Sequence, residues 1–251
     1  METGPLGVAV IVPTLEEEGR IGRLVASLVG EADEVIVTDG GSRDGTAREA
    51  EAAGARVVVG PPGRGGQLNR GAARARSPIL LFLHADTTLP PGSLGRIRDA
   101  VAAGAIGGGF TVRFEGRGWR FALGSWLASR RTRRYRLPLG DQAQFVTRPA
   151  FEAVGGFPDW PILEDLEFAR RLRKQGLVAI LEPPVSTSAR RFVAQGPVRT
   201  VALNWVIFVG YYLGISPHRL ARLYRPAGGR TERDEAVPSP AAPGRSSESL
   251  R

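Results

Sequence analysis

The residues of this chain richest in chemistry are carboxylates standing at the ends of apolar runs. Asp39 closes Glu34-Val-Ile-Val-Thr38 and leads into Gly40-Gly41-Ser42, Asp86 closes Ile79-Leu-Leu-Phe-Leu83-His84-Ala85, and Glu164-Asp165 opens the segment carrying Leu166, Phe168, Ala169 and Leu172. A short apolar run bounded by turn residues reads as a buried strand. In an open parallel sheet the strand C-termini share one edge. Acids that close separate strands would converge there and could serve a nucleotide, a metal ion and an acceptor together.

Each acid has a specific reading and a plain one. Asp39 sits beside glycines that let the backbone approach a ligand closely, and its carboxylate could accept the imide N–H of uracil; the plain alternative is a turn-forming acid. His84 and Asp86, two apart in extended chain, face one side and could reach one ion; the plain alternative, favoured on the His-x-Asp spacing alone, is a structural pair. A divalent cation there would neutralise charge building on a nucleoside-diphosphate leaving group. Glu164 and Asp165 stand where a helix dipole favours ionised carboxylates, so one could act as a general base, or both could cap the helix. Asp44 is better placed to cap the helix that follows it. Arg64-Gly65-Gly66-Gln67-Leu68-Asn69-Arg70-Gly71 offers an arginine and exposed N–H groups to a phosphate, or is a solvated turn. It matches neither the dinucleotide fingerprint, which needs glycine at Leu68, nor the Walker loop, because Lys174 precedes Gln175.

The elements that must position these residues alternate. Strands over 8–12 (ended by Pro13), 35–37, 57–59 and 79–83 are separated by helices over 16–29, about 46–53 and 67–75. That rhythm argues for an α/β fold with a mostly parallel central sheet flanked by helices. After Asp86 it becomes mixed: a helix over 93–102, a flexible hinge at Gly107-Gly108-Gly109, a half-exposed strand over 110–114, a strand over 145–147, a helix over 163–175 and a strand over 178–181 ended before Pro183-Pro184. The apolar stretch 200–215 is shorter than the roughly 20 residues a spanning helix needs, so it reads as a buried or interfacial helix. From 226 onward the composition predicts a disordered tail. The expected organisation is one domain over 1–225, with a nucleotide-binding half at about 7–90 and an acceptor half at about 91–225.

Composition narrows the chemistry. With no cysteine among 251 residues, thiol nucleophiles, disulfides and thiolate metal sites are excluded. A metal would be held by oxygen or by His84 or His218, and a hard divalent cation fits best. A chain 42% hydrophobic and 24% charged is neither fibrous nor disordered as a whole. The amino terminus lacks a basic region and a long apolar segment, so no secretory signal is expected and the expected location is the cytoplasm. The net charge is +9, and eight arginines against one acid, Glu115, fall between Arg113 and Arg136.

Taken together, Ile11-Val-Pro-Thr-Leu-Glu-Glu17, Glu34-Val-Ile-Val-Thr-Asp-Gly-Gly-Ser-Arg-Asp-Gly-Thr46, Leu81-Phe-Leu-His-Ala-Asp86 and Leu163-Glu-Asp-Leu-Glu-Phe168 resemble family 2 glycosyltransferases of the GT-A fold. The resemblance runs from about 8 to 223. Through Gly140-Asp141-Gln142-Ala143 and Thr187-Ser188-Ala189-Arg190-Arg191 it looks closest to the bacterial branch named for association with radical-SAM and selenium-related genes. It implies that Pro13, Glu17 and Asp39 contact the nucleoside, with Thr14, Gly41, Arg64 and Gln67 joining the nucleotide site. Asp86 would meet the metal and diphosphate, and Asp165 would deprotonate an acceptor hydroxyl in a single inverting displacement. Glu164, Asp141 and Gln142 would lie on the acceptor side. The implied cofactor is Mn²⁺ or Mg²⁺ and the donor a UDP-sugar. Two residues depart from the pattern: His84 replaces the first acid of the usual Asp-x-Asp, and Glu16 stands where asparagine is common. Imidazole matches Mn²⁺ better than Mg²⁺, so His84 either shifts the metal preference or only orients the ribose.

Gly118-Trp119-Arg120-Phe121-Ala-Leu-Gly-Ser-Trp126-Leu127, followed by Arg130, Arg131, Arg133, Arg134 and Arg136, mixes aromatic bulk with positive charge. That mixture suits a membrane interface. It also suits an anionic acceptor or a plain exposed basic helix; nucleic acid is not expected, because no binding module accompanies it. Trp205, Phe208, Tyr211 and Tyr212 could extend the same surface, making a peripheral enzyme at the inner face of the membrane with a lipid-like acceptor. Two rivals stand beside the transferase: a sugar-phosphate nucleotidyltransferase, and an inactive nucleotide-binding or membrane-docking module.

Overall fold

The structure is a computed structural model that describes residues 6–116, 118–188 and 197–224. Its first half follows the alternation. Strands β1 (Val8–Thr14), β2 (Glu34–Asp39), β3 (Arg56–Val59) and β4 (Ile79–Phe82) run parallel, separated by helices α1 (Ile21–Leu28), α2 (Thr46–Ala52) and α3 (Arg64–Arg74). Four further strands, β5 (Thr87–Thr88), β6 (Gly107–Glu115), β7 (Gln144–Thr147) and β8 (Val178–Ser188), complete an eight-stranded sheet ordered β3-β2-β1-β4-β7-β6-β8-β5. Strand β7 is antiparallel to both β4 and β6, and β5 to β8, while β6 and β8 are parallel. Helices α4 (Ser93–Ala102), α5 (Trp119–Tyr135), α6 (Arg148–Ala153), α7 (Glu164–Gln175), α8 (Pro197–Tyr212) and α9 (Pro217–Tyr224) flank it.

Period-two side-chain alternation divides the core between the two sheet faces. Val8, Val10, Val12, Val35, Val37, Ile79 and Leu81 meet Ile21, Val25 and Leu28 of α1 and Leu94 and Ile97 of α4. The intervening Ala9, Ile11, Ile36, Leu80 and Phe82 meet Leu68 and Ala72 of α3 and Phe168 and Leu172 of α7. On that face Phe157 and Phe168 stack with centroids 4.2 Å apart, and Phe82 meets Phe157 edge-on at 4.8 Å. These rings fasten α7, and with it Asp165, to the sheet.

Several boundaries differ from the sequence expectation. Helix α1 starts at Ile21 rather than at 16 because the preceding loop is bound to the turn after β2. The N–H groups of Glu16, Glu17, Glu18 and Gly19 donate to Ser42 Oγ, Thr46 Oγ1, Asp44 Oδ2 and Glu49 Oε2 at 2.9, 2.8, 3.2 and 2.8 Å. Asp44 also accepts the Thr46 N–H at 3.0 Å as α2 begins. Pro13 does not end β1: pairing with β4 stops at Ile11, and beyond it the strand pairs with β2 alone, so the missing N–H breaks no bond on the β4 side. Arg64-Gly65-Gly66 is not a turn but the first part of α3.

Gly107-Gly108-Gly109 is not a hinge. It is the buried start of β6, and a Cβ on Gly108 would lie 2.2 Å from the Ala179 carbonyl oxygen and 2.7 Å from the Phe145 ring. The glycines are there for close packing. The expected alternation over 110–114 also fails, since Phe110, Thr111 and Val112 are all buried between covered faces. Strand β8 runs through Pro183-Pro184 to Ser188, and its ladder with β6 shifts register between Phe110 and Val112, a bulge opposite two residues that have no N–H to donate. The segment expected to be a disordered tail, from 226, lies outside the described residues.

Candidate active site

The C-terminal ends of β1 and β4 open onto a cavity of about 910 Å³. Pro13, Thr14 and Glu17 line it from the end of β1, Arg64 and Gln67 from the start of α3, and His84 and Asp86 from the loop after β4. Asp141 enters from a 3-10 turn (Gly140–Gln142), and Glu164 and Asp165 from the start of α7. Asn204, Ile207 and Phe208 of α8 and Thr187 and Ser188 of β8 close the far side. The fold thus brings Asp86, after β4, and Asp165, at the start of α7, to one chamber.

Local bonds hold these acids in place. The Asp86 carbonyl accepts the Ser188 N–H at 3.1 Å, and Thr87 Oγ1 bonds Thr187 Oγ1 at 3.1 Å, so the loop after β4 is tied to β8. Asp165 Oδ2 accepts the Gly140 N–H at 2.7 Å, and Oδ1 accepts the Leu166 N–H at 2.7 Å. A Cβ on Gly140 would lie 2.7 Å from His84 Nε2 and 3.2 Å from Asp165 Oδ2. The imidazole and the carboxylate therefore close around a bare Cα. Leu163, immediately before the two acids, has φ of 65°, a left-handed conformation that costs a branched residue about 1–3 kcal/mol and is typical of functional sites.

Electrostatics confirm the crowding. The Asp141 carboxyl is pushed up to about 6, first by burial, then by the charge of Asp165 and to a lesser degree of Asp86, with Arg131 pulling the other way. Glu164 is also raised, by burial and then by Asp165, with Arg64 opposing. It is 1% exposed and paired with Arg64 Nη1 at 3.2 Å, so it faces the start of α3.

Asp39, Gly41 and Gln142, all named from sequence, lie outside the cavity lining. Asp39 is 1% exposed and accepts from the Gly41 N–H at 3.0 Å, the Ser42 N–H at 2.8 Å, the Ser42 hydroxyl and the Thr14 hydroxyl at 3.3 Å. It sits behind Thr14 and organises the turn containing Gly41. Gln142 is fully buried: its Oε1 accepts from Thr132 Oγ1 at 2.8 Å and the Leu139 N–H at 2.9 Å, and its Nε2 donates to the Phe110 carbonyl at 3.1 Å. That side chain joins α5 to β6 instead of facing an acceptor. Gln67 lines the cavity, but its Nε2 donates to the Thr14 and Thr38 carbonyls at 2.9 and 2.7 Å, sealing the ends of β1 and β2.

Other contributors were read from the sequence only as parts of a basic and aromatic surface, or not at all. Arg131 stands over the Phe208 ring at 5.8 Å and bonds Gln142 Oε1 at 3.2 Å. Glu167 accepts from Arg170 and Arg171, each at 2.7 Å, and from the Tyr211 hydroxyl. Burial alone would raise Glu167, but these donors outweigh it and hold it at about 2. The i,i+3 and i,i+4 spacing of the arginines was there to be seen; nothing in the sequence paired Tyr211, on a remote helix, with Glu167. Among the described residues no group of three or more His, Asp or Glu side chains could hold a metal ion unaided.

The model of a family described as glycosyl transferase family 2 matches residues 9–151. Glucosyl-3-phosphoglycerate synthase of Mycolicibacterium paratuberculosis is 38% identical over 96 residues, covering 33% of this chain and 29% of that protein. A glycosyltransferase of Mycobacterium tuberculosis, itself uncharacterized, is 33% identical over 141 residues, 54% of this chain and 64% of that one. The chain thus spans less than two thirds of the length of these relatives. The crystal structure of M. tuberculosis glucosyl-3-phosphoglycerate synthase with Mn²⁺, UDP and glucosyl-3-phosphoglycerate has the same fold, with a TM-score of 0.53, 23% identity and coverage of 72% of this chain and 70% of that one.

Proposed function

The chain belongs to glycosyl transferase family 2, whose model spans more than half of it, and on that premise we propose that it moves a sugar from a nucleoside diphosphate, UDP in the first instance, to an acceptor hydroxyl with inversion. One observation carries the reading: Asp86 after β4 and Asp165 at the start of α7 share a chamber with the end of β1 and with Arg64. The nucleoside lies against Pro13, Thr14 and Glu17, with Asp39 and the Gly41 turn supporting Thr14 from behind. The diphosphate faces Arg64 and the N-terminal turn of α3, where backbone N–H groups and the helix dipole favour an anion.

The donor set fits a hard divalent cation shared between protein and donor better than one in an all-protein cage. Asp86, with His84 beside it, would hold the ion, and phosphate oxygens would complete its shell; the ion supplies charge neutralisation at the departing diphosphate. Mn²⁺ is the better match if His84 is a ligand. A relative of this fold solved with Mn²⁺ and UDP supports the assignment.

Asp165 accepts one backbone N–H on each oxygen, which fixes its plane and leaves lone pairs toward the cavity. It takes the proton of the acceptor hydroxyl as that oxygen bonds to the anomeric carbon and the bond to the diphosphate oxygen breaks. One displacement of this kind inverts the centre and needs no covalent sugar intermediate. Within the family, Gly140-Asp141-Gln142-Ala143 and Thr187-Ser188 support the radical-SAM and selenium-associated branch.

Screening UDP- and GDP-sugars for Mn²⁺-dependent hydrolysis tests the reading. Release of nucleoside diphosphate supports it. Pyrophosphate release from a nucleoside triphosphate and a sugar phosphate would instead establish a nucleotidyltransferase, and tight UDP binding without any turnover an inactive module.

The acceptor side carries a membrane-facing reading as well. Trp119, Trp126, Trp205 and Tyr212 are 70, 54, 67 and 61% exposed, and the guanidinium groups of Arg120 and Arg130 lie 5.8 and 5.4 Å from the Trp119 and Trp126 ring centres. Among the described residues no helix is long and apolar enough to cross a membrane, so the contact would be peripheral. Sedimentation with anionic vesicles at low salt checks it, and a protein that stays in the supernatant rejects it.

A further inference from the structure

A second cavity, of about 480 Å³, lies between α5 and the outer part of β6. Its apolar wall is formed by Val112, Phe114, Phe121, Ala122, Trp126 and Pro184. The volume falls within the roughly 300–1,000 Å³ of small-molecule sites. Polar side chains on the wall are engaged with one another or with the backbone. Glu182 accepts from Thr111 Oγ1 at 2.7 Å and pairs with Arg133. Ser125 Oγ donates to the Phe121 carbonyl at 2.7 Å, and Ser129 Oγ bonds the Val112 backbone on both its N–H and its carbonyl, at 3.2 and 3.1 Å. What these leave for a ligand is mainly hydrocarbon and aromatic surface, with Arg113 exposed on β6 at the edge.

Phe114 lines this cavity and the catalytic chamber alike, so the two share one wall. On the outer side the apolar track continues to the surface over Trp119, Leu123 and Leu127 of α5, which are 70, 44 and 51% exposed. A hydroxyl in the catalytic chamber and a chain lying past Phe114 would occupy both cavities at once.

We infer that the second cavity is an acceptor subsite for an alkyl or prenyl chain, so that the acceptor is an amphiphile whose hydroxyl-bearing head reaches Asp165. The identity of the head site rests on the transferase reading; the chain site rests on the second cavity itself. Its ligand is a single molecule held under α5, not a bilayer surface touched by the outside of that helix.

Alkyl β-glucosides from butyl to octyl, each kept below its micelle-forming concentration, are titrated by calorimetry into the full chain with and without UDP. Affinity rises about fourfold per added methylene, the value expected for burying one CH₂. Ala122 is an exposed position on the cavity wall, so Ala122→Phe, or Ala122→Leu should the larger ring disturb folding, fills the space from its rim. Either variant flattens the chain-length dependence while UDP affinity stays within twofold of the parent. A parent protein indifferent to chain length, or a variant with the parent's slope, overturns the subsite, and sedimentation with vesicles alongside a flat slope would assign the apolar track to a lipid surface instead. Failure to bind UDP while the slope persists would strike the transferase reading and leave the chain site standing.

Discussion

At the scale of single residues, the site sets Asp165 beside Asp141 and Glu164, two carboxyls that burial first and the Asp165 charge second push upward. Asp165 is the one whose two oxygens are each oriented by a backbone N–H. Asp165→Asn keeps the shape and removes the base, so turnover should fall by about 10²–10⁴-fold, the usual worth of a positioned base. Calorimetry should find UDP affinity unchanged; a variant as active as the parent removes the role. Asp141, raised first by burial and then by the Asp165 charge, is the carboxyl of this group whose proton affinity registers the site. Its folded pKa of about 6 stands above the ordinary 3.8, so the folded state holds a proton that the unfolded chain releases. Its contribution to stability is therefore fully present below about pH 4 and is lost as pH rises through 6. Asp141→Asn carries no such titration. The stability gap between variant and parent, measured by urea unfolding, should move in the variant's favour by on the order of 2–3 kcal/mol between pH 4 and pH 7, and parallel pH profiles would contradict this account.

At the scale of elements, α3 must lie close to the sheet, because Gln67 ties off β1 and β2 and the proposed diphosphate would sit at its first turn. Close approach is written in its glycines: a Cβ on Gly71 would lie 2.3 Å from Ile11 Cγ2 and 3.0 Å from Thr38 Cγ2. Gly71→Ala should cost about 1–3 kcal/mol of stability through overpacking, read as a lower denaturation midpoint; an unchanged midpoint would mean that α3 can lift freely. This same packing explains what the sequence could and could not tell. Parallel strands buried on both faces are continuous apolar runs, so β1, β2 and β4 were legible, and Asp86 and Asp165 with them because each ends or begins an element. The glycines at 107–109 and the prolines at 183–184 look like breaks when judged locally. They are strand residues because β7, β8 and a register shift demand a missing side chain or a missing N–H, conditions set by partners far away in sequence. For the same reason Asp39 could be placed at the end of β2 but not seen to be spent on Thr14 and its own turn, and Tyr211 could not be matched to Glu167.

At the scale of the whole molecule, the cavity is the seam between a parallel half ordered β3-β2-β1-β4 and a mixed half that begins at antiparallel β7. Its walls come from both, and α8 reaches them from the far side, held through the bond of Tyr211 to Glu167. A ligand that bridges the seam adds its binding energy to the stability of both halves. The net charge of +9 also favours an anionic ligand over a neutral one, increasingly so as salt is lowered. UDP with Mn²⁺ at a hundredfold excess over its Kd should add about 2.7 kcal/mol, which for a chain of this size raises the melting temperature by roughly 5–10 °C. Chelation should remove most of that rise if the cation is shared between Asp86 and the diphosphate. Asp86→Ala should then show the small, chelator-independent shift of UDP alone, while Asp165→Asn keeps the full one, since its carboxylate would serve the acceptor step. Thermal melts of the three proteins with UDP, Mn²⁺ and chelator separate the assignments: an Asp86→Ala variant that still gains the full metal-dependent shift would place the cation elsewhere in the cavity.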